Sequence, residues 1–446
     1  MHKITGALGN ALEFQCEIRK SFRARLYFGG GLMTMIGSWE GTSAMREMAT
    51  SPLSGIRVLD LSRVLAGPLS GTILADLGAE VIKIEHPMRG DDTRDWGSRI
   101  GDTETTYYNS VNRNKKSVAL DLRSTTGVGI ARDLAAMCDV VIQNFKPGGA
   151  DQLGLGAAEL LAINPSLVYC SISGYDQQSL ERLRPGYDLV VQGEAGLMAM
   201  NGEATRPPLK FGVAVVDLFT GMYAAQAIMA ALIQRGRTGK GRHVQLALFD
   251  CGISLTSYYG LEALQQGKDP PRYGNAHPSI VPYGVFEAAD GPLVITVGTN
   301  RQFVDFCRHV INRPDLADDP RFSNNLSRSR NRLELLPQID MELGKMTRSD
   351  LLQTLSRNSI PCGEVLGLFE ALTSERARHM VTVKEHPIAK AVHVLAPPYS
   401  FDGERCAVRS RPPRLGEHTE EILAGLLGKT TAQIDALIAA GVSRKS

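Results

Sequence analysis

From residue 55 onward the chain alternates short apolar runs with helix-like stretches, and this alternation restricts its fold more than any other feature. Ile56 to Leu61 is followed by a helical pattern over Ala66 to Leu77, the turn at Gly78, and a second run from Val81 to Glu85. The scheme recurs as Ser117 to Asp121, a helix over Gly127 to Met137, Asp139 to Gln143, a short helix near Ala157 to Ile163, and Leu167 to Ser171. Strands separated by helices pair in parallel, so the pattern predicts an α/β fold with a large Rossmann-like domain. In such sheets a ligand sits beyond the carboxyl ends of the strands.

Two further helices are predicted at Tyr187 to Met200 and Leu218 to Gln234, the second with apolar side chains at Leu218, Met222, Ala225, Met229 and Leu232. Its apolar core, Leu218 to Ile233, is shorter than the roughly 20 residues of a bilayer crossing. With Gln226 inside it and Asp217 at its mouth, it reads as a core helix and gives no membrane partner. Beyond about residue 265 the texture changes to Gly, Pro and His from Gly267 to Pro278. Short strands follow at Gly284 to Glu287 and Leu293 to Val297, with helices at Arg301 to Ile311 and Ser349 to Ser356. This is read as a smaller α+β domain. Thr419 is a candidate cap for a short helix, and a last helix is expected over Thr431 to Ala440.

The first 51 residues have no signal-peptide pattern. Arg19, Lys20, Arg23 and Arg25 are offset by Glu13 and Glu17, which weakens a transit-peptide reading, and Met33, Met35, Met45 and Met48 suggest an upstream start. Residues 1–51 are therefore expected to be a poorly ordered extension. Lysine and arginine number 49 against 47 acidic residues, and aromatics make up only 6%. That balance disfavours a nucleic-acid partner and favours a small molecule. The seven cysteines are dispersed, with no CxxC or Cys/His cluster. They read as buried thiols in a reducing compartment, with no metal site and no thiol nucleophile.

The loop after the first strand, Ser62 to Pro68, lacks the GxGxxG of a dinucleotide site, and there is no Walker loop, HExxH or serine elbow. What remains is carboxylates at strand-to-helix junctions: Asp60, Asp121, Asp188 and Asp217. Asp217 stands out because it follows the apolar run Phe211 to Val216 and precedes the long apolar helix. Two readings stay open. A carboxylate there can be an ordinary helix cap, or it can attack an acyl carbon in a site that excludes water.

Several segments, in order, resemble one family. They are Gly55 to Pro68, Asp76 to Glu85, Gly90 to Arg94, Asn112 to Ser117, Asn144 to Gly148, Ser173 to Tyr175, Arg184 to Asp188, Thr238 to Arg242 and Leu415 to His418. Together these resemble the family III CoA-transferases, the CaiB/BaiF group, which includes formyl-CoA and carnitine CoA-transferases and a racemase of 2-methylacyl-CoA esters. Asn112 to Ser117, Arg272 to His277 and Ser279 to Tyr283 look most like the branch that pairs succinyl-CoA with dicarboxylic acids such as glutarate.

The resemblance implies that Asp217 attacks the donor thioester, giving an aspartyl anhydride and then an enzyme thioester. No cofactor is held permanently; CoA and acyl-CoA are substrates. CoA-binding positions carry over as Leu65, Ala66, His86, Leu120, Asp121, Leu122, Arg123, Asn144, Phe145, Lys146, Arg184 and Tyr187. Arg123 and Lys146 are the expected phosphate partners by charge. Arg63, Arg272 or His277 would hold the distal carboxylate of a dicarboxylic acid. His86 stands where formyl-CoA transferase has arginine, Gln152 replaces another basic residue, and Leu65 replaces a glutamine. Tyr187 takes the place of the racemase branch's basic histidine, so acyl-CoA isomerisation is the alternative activity rather than the first.

The family further implies an interlocked homodimer and a large domain assembled from two stretches. The expected division is residues 52–265 for the large domain, 266–385 for the small one, and 386–446 returning to the large one. The leader before residue 52 falls outside the resemblance. A cytoplasmic location is expected, or the mitochondrial matrix in a eukaryote.

Overall fold

The computed structural model describes residues 23–28, 31–36 and 51–446. Arg23–Phe28 and Gly31–Ile36 pair as an antiparallel hairpin, in a unit that ends at Gly55. The rest of the leader, where a poorly ordered extension is expected, lies outside the described residues. Everything below concerns Ile56–Ser446.

The first strand, β1 (Arg57–Asp60), leads into α1 (Ala66–Asp76) and returns as β2 (Glu80–Glu85). There follow β3 (Lys115–Leu120), α2 (Thr125–Ala136), β4 (Val140–Gln143), α3 (Ala157–Ile163) and β5 (Val168–Ser173). After α4 (Asp188–Glu194) comes α5 (Val215–Thr238), which delivers the chain to β6 (Arg242–Ala247) and α6 (Leu248–Leu255). The strands form one sheet in the order β6-β5-β4-β1-β2-β3, all parallel. Helices cover both faces, so the middles of its central strands are Val, Ile and Leu, with Asp60, Lys83 and Glu85 buried among them. Val58, Leu59, Ile82, Val141 and Ile142 have no exposed surface.

The chain first builds outward from β1 through β2 to β3 and then jumps back to place β4 on the other side of β1. The connections leaving β1 and β4 therefore diverge at their carboxyl ends, which opens a crevice there.

The α5 helix spans 24 residues, longer than its apolar core alone suggests and long enough, by length and composition, to cross a bilayer. Half of its apolar window is instead buried inside the protein. Gly221 lets it lie directly on α1: a Cβ at that position would meet the Ala66 carbonyl oxygen at 2.7 Å. The predicted helix over Tyr187 to Met200 is two, Asp188–Glu194 and Leu197–Met200, because the chain turns at Gly196.

A second hydrophobic core gathers around the antiparallel strands β7 (Tyr283–Ala288), β8 (Gly291–Thr296) and β9 (Cys362–Glu364), with Phe303, Phe306, Phe322, Leu335 and Leu351. Later residues pack on the first core. Ile422 and Leu423 of α7 (Thr419–Leu427) and Ile434 of α8 (Thr431–Ala439) join Ile82, Val118 and Leu134. β10 (Ser443–Arg444) then pairs antiparallel with β3. Thr419 does not cap its own helix; its hydroxyl accepts the Ala119 N–H at 3.1 Å.

Candidate active site

The crevice at the β1 and β4 ends is a cleft of about 940 Å³, counting its open mouth. Arg63 to Ala66 form one wall, Asn144 to Pro147 a second, and Leu183 to Tyr187 a third, with Asp217 facing them. The third wall docks because two glycines cross: a Cβ on Gly174 would lie 2.6 Å from the Gly186 nitrogen.

Four junction carboxylates compete for a chemical role, and their environments separate them. Asp60 is fully buried, 3.0 Å from Lys115 Nζ, and accepts the Ser62 N–H at 3.0 Å. Burial raises its carboxyl, but Lys115 and Lys83 overcome this and hold it below the ordinary carboxylate range. Asp121 accepts the Arg123 N–H at 3.0 Å and pairs with its guanidinium at 3.2 Å. Asp188, the first residue of α4, reaches across to α5. Its Oδ1 accepts the Val216 N–H at 2.8 Å and the Asp217 N–H at 3.3 Å, and Gln192 donates to its Oδ2 at 2.6 Å.

The cap of α5 is therefore Asp188. Among the described residues, no donor and no cation engages the Asp217 carboxylate. Burial, and then the neighbouring Asp188 charge, pushes the Asp217 carboxyl up to about 7. Half-buried and at a helix start, Asp217 does not cap its own helix. Burial, and then the charges of Asp217, Asp188 and Asp91, raise the Tyr107 phenol.

The cations are placed unequally. Lys146 is exposed on the second wall and, among the described residues, has no ion pair. Arg63 is half-exposed, 3.7 Å from Asp92, with its guanidinium 6.0 Å from the centre of the Phe145 ring. Arg184 lines the cleft but is neutralised, bonding Glu181 at 3.0 Å and also Glu194. Tyr187 lines the cleft with its ring largely exposed.

His86, Asp121 and Arg123 come together at the ends of β2 and β3, with Arg123 Nη2 2.9 Å from His86 Nε2. Burial, and then Arg89, lowers His86, so it is neutral at pH 7. Leu120 and Leu122 flank this cluster in the chain, and neither lines the cleft. Arg272 and His277 stand outside the cleft lining as well. The Arg272 guanidinium is occupied by the carbonyls of Glu203, Ala204 and Arg206 at 3.1, 3.3 and 2.5 Å. His277 Nδ1 accepts the N–H groups of Ser279 and Ile280, both at 3.1 Å.

Sequence reasoning missed the layer beneath the loop. Lys83 and Asp91 pair at 2.9 Å with neither side chain exposed, and Arg94 pairs with Glu85 at 2.7 Å. The signal was present: Lys83 and Glu85 interrupt an apolar strand of a sheet covered on both faces, and buried charges there require partners.

An open parallel sheet with a crevice at its switch point, lined by a carboxylate and an exposed cation that have no partner among the described residues, defines an α/β protein with a ligand cleft at the strand ends. The chain belongs to CoA-transferase family III, whose model matches residues 53–419. It is similar to the succinyl-CoA:glutarate CoA-transferase of Mus musculus, at 39% identity over 93% of this chain and 95% of that protein. It is likewise similar to the succinate--glutarate CoA-transferase of Agrobacterium fabrum, at 39% identity over 84% of this chain and 96% of that one. A crystal structure of a CaiB/BaiF family protein from Brucella suis superposes with a TM-score of 0.75 at 39% identity, covering 84% of this chain and 99% of that one. The protein is thus a CoA-transferase with acyl-CoA as substrate. The mouse match covers more of the chain than residues 52–446 alone can supply, so the resemblance extends into the leader.

Proposed function

We propose that this enzyme moves CoA from succinyl-CoA or a similar donor to a dicarboxylic acid such as glutarate, with Asp217 as covalent catalyst. The observation that carries this reading is the state of Asp217: in the cleft, without a partner, and raised by burial and Asp188. The names of the similar mouse and Agrobacterium enzymes support the acid class.

In this scheme the ionised carboxylate attacks the thioester carbon, the C–S bond breaks and CoA thiolate leaves. The thiolate attacks the aspartyl carbonyl, releasing the donor acid and forming an enzyme thioester. The acceptor carboxylate attacks that carbonyl in turn, and the freed thiolate takes the new acyl group, regenerating Asp217. No step needs a net proton. Each tetrahedral oxyanion needs donors. The α5 N–H groups at Val216 and Asp217 are taken by Asp188, so the N–H groups of Ala66 and Gly67 at the start of α1, which have no partner among the described residues, serve instead.

Lys146 and Arg123 are read as CoA phosphate partners, and Arg63 as the cation for the distal carboxylate. The separate core around β7–β9 supports the large-domain and small-domain division at 265 and 385. Leu261 and Leu264 are 69% and 81% exposed, and this apolar surface supports the interlocked dimer. Cys138, Cys170, Cys251 and Cys307 are buried free thiols, which supports a reducing compartment such as the cytoplasm.

The test is succinyl-CoA incubated with a panel of carboxylic acids, with new thioesters read by mass spectrometry. Transfer to dicarboxylic acids is expected, and failure of every acid to take CoA from any common thioester overturns the reading.

A further inference from the structure

The wall of the cleft opposite Asp217 contains a residue held in an unfavourable backbone state. Val64 has a φ of 71°, a region that a branched Cβ makes costly. Seven described non-glycine residues have positive φ, and Val64 is the one with a branched Cβ. Such a conformation persists only where its surroundings over-determine it, and it concentrates at working sites.

Here side chains grip the loop at successive residues. Ser62 O accepts Lys83 Nζ at 2.8 Å, while Arg63 N donates to Asn144 Oδ1 at 2.8 Å and Arg63 O accepts Asn144 Nδ2 at 2.7 Å. Val64 N donates to both oxygens of Asp91, at 3.2 and 3.3 Å. Asp91 is fixed in turn by Lys83 at 2.9 Å, and by the Thr93 N–H and hydroxyl at 3.0 and 2.8 Å. Neither Asp91 nor Lys83 lines the cleft, so both act through the loop.

We propose that Asp91, anchored by Lys83, is a positioning residue for CoA transfer. Its carboxylate holds Val64 in the left-handed conformation and so fixes Leu65 and Ala66, at the start of α1, against Asp217. Without that grip Val64 relaxes to negative φ, the next peptide plane rotates, and the first turn of α1 moves. A displacement of about 1 Å at a reacting centre costs about a hundredfold in rate.

The inference rests on the proposed reaction. Asp91→Asn removes the charge that pairs with Lys83; kcat should fall by about a hundredfold while KM for acyl-CoA changes by less than about threefold. Adding Val64→Gly should recover at least about tenfold of that kcat, because glycine takes positive φ without a clamp. A merely structural Asp91 would lower the melting temperature of both variants with no such rescue. If Asp91→Asn does not fold, Val64→Pro poses the same question, since proline fixes φ near about −65°; kcat should fall alike in a folded protein. An undiminished kcat in Asp91→Asn or Val64→Pro, or no rescue by glycine, overturns the inference while transfer by the parent enzyme stands. A parent enzyme that transfers CoA to no acid overturns the proposed function and the inference together.

Discussion

At the scale of single residues, the role proposed for Asp217 couples titration to both activity and stability. The attacking form is the anion, so kcat/KM for the acyl-CoA donor should rise with pH through about 7, the value to which burial and Asp188 bring its carboxyl. The stability effect has the opposite sign. Its folded pKa lies above the ordinary 3.8, so between these values the folded chain keeps a proton that the unfolded chain has released. The contribution of this group therefore falls as the pH rises from about 4 to about 7. Asp217→Asn should abolish transfer, by at least about a thousandfold, while melting higher than the parent at pH 8 and no higher at pH 4. A pH-resolved set of melting curves checks this. Lys146 offers a separate handle: Lys146→Ala should raise KM for acyl-CoA about tenfold and leave kcat within about twofold, with a gap that narrows in high salt. Steady-state kinetics at two ionic strengths would reveal it.

Among elements, the pairing of α5 with α1 decides where the carboxylate points. Gly221 sits at that contact, and a side chain there meets the backbone of Ala66, which cannot rotate away. Gly221→Val should therefore cost about 2 kcal/mol in urea unfolding and lower kcat, since both walls of the cleft move apart. The elements themselves were largely legible, because covered parallel strands leave long apolar runs and helices leave a periodic trace. Asp217 was legible as a junction carboxylate. Its state was not, since the Asp188 oxygen that takes over the cap lies 29 residues earlier on another helix. Arg184 lines the cleft as a ligand position should, but of its two carboxylate partners only Glu181 is near in sequence, and Glu194 is brought round by α4. Helix ends followed packing more than composition, as the extra length of α5 shows. The grip of Asp91 on Val64 depends on an unusual backbone angle, which no residue type announced.

For the whole molecule, net charge says little, because the cations that matter are few and local. Exposed apolar surface says more. Leu264 and Phe369 are each 81% exposed, a costly display for a lone chain. Light scattering should give a particle of twice the 48.4 kDa chain mass, and a monomer at micromolar concentration would sink the dimer. One feature of the sheet bears on how the molecule is made. β10 covers the carboxyl end of the outer edge of β3, with the Ser443 hydroxyl donating to the Ala119 carbonyl 324 residues earlier. While a ribosome is still translating, that edge stays open and can recruit other strands. Its protection arrives in two stages, the His418 N–H and Thr419 hydroxyl engaging Ser117 and Ala119 before residues 443 and 444 close the end of the strand, so until both have emerged the nascent sheet offers a strand for capture.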